Sequence, residues 1–197
     1  MFEHTTRAAT GSDLSILPES DESLSVRAVT DPVAFTELYR RHVDQIFGFC
    51  LLRLGDRQRA EDCTSQVFTH VIESLPRFRP EKFRSWLFTI AYHEVVDSQR
   101  RNRPTLSLEA AELDKSLHSG MEQSADQHLS LIELQSHFSR LTADQRTVIE
   151  MRLAGLTGPE ISQALGKSSA WVHTTQYRAI GKLKALMTGS EIPESAR

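Results

Sequence analysis

The chain has only two cysteines in 197 residues, only 7% aromatics, and no apolar run approaching the roughly 20 residues that span a bilayer. Each scarcity removes a class of protein. Cys50 and Cys63, thirteen residues apart, have no Cys-x-x-Cys or His-x-x-x-His beside them, so they read as buried structural thiols rather than metal ligands or a redox pair. His4, His42, His70, His118, His128 and His137 show no ligand spacing either. Glycine loops of the P-loop or dinucleotide-binding type are missing, and the serines have no Gly-flanked elbow with a general base. Glu61 and Asp62 are sequence neighbours, which diverge on a helix and cannot close on one metal ion. No catalytic residue, metal or cofactor is therefore assigned, and the chain is expected not to be an enzyme. A basic start followed by an apolar core is also lacking, so the expected location is cytoplasmic, without membrane insertion.

Charge is distributed unevenly. The net charge of -3 conceals two basic stretches. Pro76–Arg103 carries seven Lys or Arg against three acids, and Arg140–Met187 again has seven against three, each a net +4. Between them, Pro104–Ser139 has six acids and only Lys115, and Met1–Asp31 has six acids against Arg7 and Arg27. Two positive patches held apart by acidic segments suggest a protein that grips nucleic acid twice.

Apolar spacing predicts helices throughout. Met1–Thr30, rich in Ser, Thr, Asp and Glu, reads as a mobile tail. Asp31-Pro32 supplies a cap and a first-turn proline for a helix ending at Gly55, with Phe35, Leu38, Tyr39, Val43, Ile46, Phe47, Cys50 and Leu54 as its stripe. A second helix is expected over about Arg57–Leu75, with Ile72 and Leu75 among its inward residues. A third spans about Lys82–Arg101, beyond the loop bracketed by Pro76 and Pro80. Pro104–Gln127 reads as a linker, and a helix over His128–Arg140 uses Leu131, Leu134 and Phe138. Thr142-x-x-Gln145 and Thr157-x-x-Glu160 are capping boxes for the next two helices. The second of these is short and stops at Gly166, and Ser168 caps a last helix, Ser169–Met187, that buries Val172, Ile180 and Leu183. Short helix, glycine turn and longer polar-faced helix is the helix-turn-helix layout, whose second helix enters the major groove.

Four blocks in order, FTELYRRHVDQIF, LGDRQRAEDCTSQVF, FRSWLFTIAYHEVVDSQRRNR and LTADQRTVIEMRLAGLTGPEISQALGKSSAWVHTTQYRAIGKL, give the chain a resemblance over roughly Asp31–Met187. It resembles the extracytoplasmic-function group of sigma-70-type RNA polymerase sigma factors, the interchangeable promoter-recognition subunits of the bacterial enzyme. The resemblance implies three binding surfaces. Arg59, Glu61, Asp62 and Gln66 match the surface that docks on core polymerase; composition alone would leave them a solvated helix face, and Gln66 stands where relatives usually have an acid. Arg77, Phe78, Arg79, Phe83, Arg84, His93, Asp97, Arg100, Arg101 and Arg103 match the part that captures the -10 element and holds its strand open. Unpaired bases need apolar or aromatic faces and the flanking phosphates need cations, which is the mixture found here. Trp86, in the apolar stripe, reads as core, and His93 replaces a usual asparagine. Ser168, Ser169, Trp171, His173, Thr174, Gln176, Tyr177, Arg178 and Lys182 match the helix that reads the -35 element, with fewer basic residues than relatives carry there.

The expectation is an all-α protein of two small helical domains. A disordered acidic tail covers residues 1–30, a region 2-like bundle 31–103, a flexible acidic linker 104–127, a region 4-like helix-turn-helix domain 128–187, and a tail 188–197. The partners implied by the resemblance are bacterial RNA polymerase core, promoter DNA and an anti-sigma factor. Two other classes compete. A helix-turn-helix regulator would bind duplex DNA independently of polymerase, but duplex readout does not require the aromatic and arginine mixture of Phe78–Arg103. A nucleic-acid-processing enzyme would need the carboxylate cluster that is missing.

Overall fold

In the computed structural model, which describes residues 19–79, 82–101 and 136–188, every regular element among the described residues is helical. Seven α-helices follow one another: α1 (Asp21–Arg27), α2 (Pro32–Leu54), α3 (Arg57–Ser74), α4 (Phe83–Arg101), α5 (Ala143–Leu153), α6 (Gly158–Leu165) and α7 (Ser169–Thr188). A 3-10 turn, Leu75–Arg77, separates α3 from α4, and residues 136–139 are helical. The linker 104–127, Arg103, Leu131, Leu134 and the tail 189–197 lie outside the described residues.

Local chemistry sets the boundaries. Asp31 accepts from the Val33 N–H at 2.9 Å, Pro32 takes the first helical position, and Gly55 (φ 73°) ends α2 in the left-handed conformation. Both capping boxes close: Thr142 with Gln145 on α5, and Thr157 with Glu160 on α6. Ser168 Oγ accepts from Trp171 N at 3.2 Å at the start of α7.

Residues 21–27 depart from the expected tail. They form α1, because Ser20 caps it and Leu24 and Ser25 are buried. An acidic, serine-rich composition conceals an apolar residue that needs a partner, here α2 and α4. The buried stripe of α2 also differs, using Ala34, Leu38, His42, Ile46, Phe49 and Cys50 and leaving Tyr39 exposed. Packed by α1, α3, α4 and α5, this helix has no single inward face. Ile72 and Ile180, expected inside, are exposed, while Phe88 and Ala179 are buried.

The two halves of the chain touch, α4 against α6 and α2 against α5. Their apolar residues form one continuous core from Leu38, Ile46, Phe49 and Phe88 to Met151, Leu156, Ile161 and Val172. At the seam, Arg53 Nη1 lies 2.6 Å from Glu150 Oε2 and donates to Thr147 Oγ1 at 2.9 Å. Arg146 adds a 2.6 Å contact to the same carboxylate and donates to the Leu52 carbonyl at 3.1 Å. Thr89 Oγ1 donates to the Ala164 carbonyl at 3.2 Å.

Candidate nucleic-acid interface

A cavity of about 310 Å³ opens where the 3-10 turn meets the first turn of α4. Arg77, Phe78, Arg79, Lys82 and Trp86 line it, together with Gln163 from α6. Phe78 and Trp86 face each other at 4.4 Å between centroids, tilted by 32°. Phe83, expected in the pocket wall, is 1% exposed and sits behind it, edge-on to Phe78 at 5.8 Å. Its position on α4 turns it toward His42, whose ring is 5.6 Å away. Trp86 is half-buried: it packs against the core, as its apolar-stripe spacing predicts, and also lines the cavity. Two rings beside three exposed cations can accept the face of a flat, apolar group and the charge that follows it.

Farther along α4, His93, Asp97, Arg100 and Arg101 are exposed. Asp97 and Arg100 approach to 3.7 Å with both side chains mostly in water, a pair too solvated to hold the arginine from a stronger anion. Arg84 is placed differently. Its Nη2 donates to Gln45 Oε1 and to the Ala154 carbonyl, each at 3.1 Å, and Nη1 lies 3.8 Å from Glu160. In this arrangement Arg84 serves the seam between the halves.

On α3, Glu61, Asp62 and Gln66 are exposed along one side and Arg59 is half-buried. Glu61 pairs with Arg57 at 2.9 Å and Asp62 accepts from Gln58 at 3.3 Å, both four residues away. The face is acidic, polar and displaceable. Behind it, Cys50 and Cys63 are buried and free. The Cys63 side chain and burial together push the Cys50 thiol well above its ordinary value, so Cys50 stays protonated.

In the second half, Ser168, Ser169, His173, Thr174, Tyr177 and Arg178 are exposed on the start and middle of α7. Trp171 is half-buried against the core with Lys167 Nζ 5.4 Å from its ring centre, so it packs and remains reachable. Gln176 accepts from Arg152 Nε at 2.9 Å, which places a further cation at this surface that the sequence reading passed over. Lys182 is half-buried. Among the described residues no group of three His, Cys, Asp or Glu could hold a metal, and no helix is long and apolar enough to cross a membrane.

Comparison with known proteins matches these two halves separately. Residues 38–105 match the family model of Sigma-70 region 2, and residues 131–183 that of Sigma-70, region 4. The ECF RNA polymerase sigma factor ShbA of Streptomyces griseus is 32% identical over 176 residues, covering 81% of this chain and 91% of that protein. The chain belongs to the extracytoplasmic-function sigma factors. BldN of Streptomyces coelicolor, another such factor, is 30% identical over 169 residues, 83% of this chain; the match spans 62% of BldN's length. RNA polymerase sigma factor YlaC of Bacillus subtilis is 28% identical over 163 residues, 80% of this chain and 94% of YlaC. The solved structure of CnrH in complex with the cytosolic domain of CnrY superposes with a TM-score of 0.70 at 24% identity, covering 87% of this sigma factor and 99% of that chain. The all-helical fold is thus shared with CnrH.

Proposed function

We propose that this sigma factor binds core RNA polymerase through the exposed side of α3, captures the -10 element with the cavity and arginines of α4, and reads the -35 element with α7. The observation that carries the reading is the pairing of Phe78 and Trp86 at 4.4 Å in a cavity rimmed by Arg77, Arg79 and Lys82. Flipping a base out of a duplex costs a few kcal/mol per step, and stacking on an aromatic wall with phosphate neutralisation offsets it. The protein then acts as a binding subunit, by differential affinity for open DNA.

The reading divides the chain into a region 2 unit over residues 31–103 and a region 4 unit over 128–187, supported by the family matches at 38–105 and 131–183. Arg77, Phe78, Arg79, Trp86, His93, Asp97, Arg100, Arg101 and Arg103 contact the -10 strand, with Phe83 as support; Arg84 joins them only when the halves part. Ser168, Ser169, Trp171, His173, Thr174, Gln176, Tyr177, Arg178 and Lys182 form the -35 surface. Arg59, Glu61, Asp62 and Gln66 dock on core polymerase. An anti-sigma partner covers these surfaces when transcription is off, and the site of action is the cytoplasm.

Separate variants test the two main surfaces. Replacing Arg100, Arg101 and Arg103 together by Ala should abolish promoter opening, read by permanganate footprinting, while core binding persists. Reversing Glu61 and Asp62 to Lys should weaken co-migration with core polymerase at least tenfold. Normal opening in the first variant refutes the phosphate role, and unchanged core affinity in the second excludes the α3 surface.

A further inference from the structure

We propose that α1 is a positioning element for the -10 cavity: Glu22 holds the first turn of α4, and Asp21, through His42, fixes the aromatic wall. The inference rests on the function proposed for that cavity. The first turn of α4 contains no acid, and the side chain of Lys82, just before it, can only donate. The acceptor arrives from far along the chain, as Glu22 Oε1 accepts from the Phe83 N–H at 3.3 Å across 61 residues. A carboxylate there satisfies an orphan donor and faces the positive end of the helix.

The neighbouring residue acts on the same point. Asp21 Oδ2 lies 2.7 Å from His42 Nε2, and its other oxygen accepts from Arg41 at 3.0 Å. His42 is buried on α2 with its ring against Phe83, which in turn touches Phe78 and Trp86 at 5.8 and 5.7 Å. Two contacts from one short helix therefore converge on Phe83, the residue directly behind both rings that line the cavity. Asp21, Glu22 and His42 do not line the cavity themselves. The helix is firmly seated: Leu24 and Ser25 are buried, and Arg27 links Glu19 at 2.7 Å to Asp31 at 2.8 Å. It also lies outside the segment matched to region 2, which begins at residue 38.

The test uses the full chain and a short fluorescein-labelled single strand carrying the -10 element of a promoter it transcribes, with core-polymerase affinity and melting temperature measured beside it. Glu22→Ala should bind the strand about fivefold more weakly, with core affinity unchanged, the shift expected if the roughly 1 kcal/mol of a lost cap is felt in full by the aromatic wall. Glu22→Gln keeps a carbonyl acceptor and should recover most of the loss. His42→Gln, which keeps a polar partner for Asp21 but loses the ring against Phe83, should weaken strand binding as well, and it carries the test if Glu22→Ala does not fold. Variants that melt earlier yet bind the strand like the wild type would overturn the proposal and leave α1 a stabilising element only. A wild-type chain that does not bind the strand would remove the cavity reading, and this inference with it.

Discussion

Glu150 has no exposed surface, and its carboxylate is held between Arg53 from α2 and Arg146 from its own helix. A charge so buried is tolerated only because both cations meet it with good geometry, and Arg53, which also donates to Thr147, is itself almost fully enclosed. Glu150→Ala leaves the Arg53 guanidinium buried without its counter-charge. The expected loss is about 3 kcal/mol of unfolding free energy, read by urea denaturation. A loss below about 1 kcal/mol would mean that Arg53 finds water, and hence that the seam opens readily. Sequence pattern gave no sign of this pair, since Arg53 and Glu150 are 97 residues apart and each looks like an ordinary surface charge on an amphipathic helix.

At the scale of the element, the ends were more legible than the faces. Asp31-Pro32, Gly55, the two capping boxes and Gly166 act within one turn, so their effect is written in adjacent residues, and the structure uses each of them. Facing directions depend on what else packs, which explains why Tyr39, Ile72 and Ile180 came out exposed and Phe49 and Phe88 inside. The cavity followed the same division. Its cations and Phe78 were readable from the loop composition, whereas Trp86 and Gln163 reach it only through the relative placement of α4 and α6. One capping residue also sets a pH response. Burial tends to raise the Glu160 carboxyl, but the Thr157 hydroxyl and N–H and the Arg84 charge outweigh it and hold the group below its ordinary value. Stability from such a depressed carboxyl is complete above its unfolded value, about 4, and disappears as pH falls through the folded value. Asp31, capping α2 and paired with Arg27, shifts in the same direction. Urea unfolding of Glu160→Gln should therefore fall less between about pH 6 and pH 3 than that of the wild type. An equal fall in both would assign the acid sensitivity to other carboxyls.

The whole molecule holds its two units in contact through a shared apolar core and a set of polar contacts at its edge, with Gln163 of one unit at the edge of the cavity of the other. Elements designated -10 and -35 lie about 25 base pairs apart, or about 85 Å of duplex. Packed together, the units cannot reach both. The linker expected over residues 104–127 would span about 80 Å if fully extended, a length comparable to that separation. The seam joins an apolar core shared by both halves to the buried Arg53–Glu150 pair, so parting the units exposes apolar surface as well as re-solvating charges. On this account the chain is a promoter-specificity subunit whose α4 cavity holds the melted strand. Run-off transcription with core polymerase on a promoter library measures that most directly. The account predicts transcripts that appear only when the chain is added, from templates sharing a -10 and a -35 sequence, and that are lost with Arg100, Arg101 and Arg103 replaced by Ala. Binding of duplex DNA with no chain-dependent transcript from any template would contradict it.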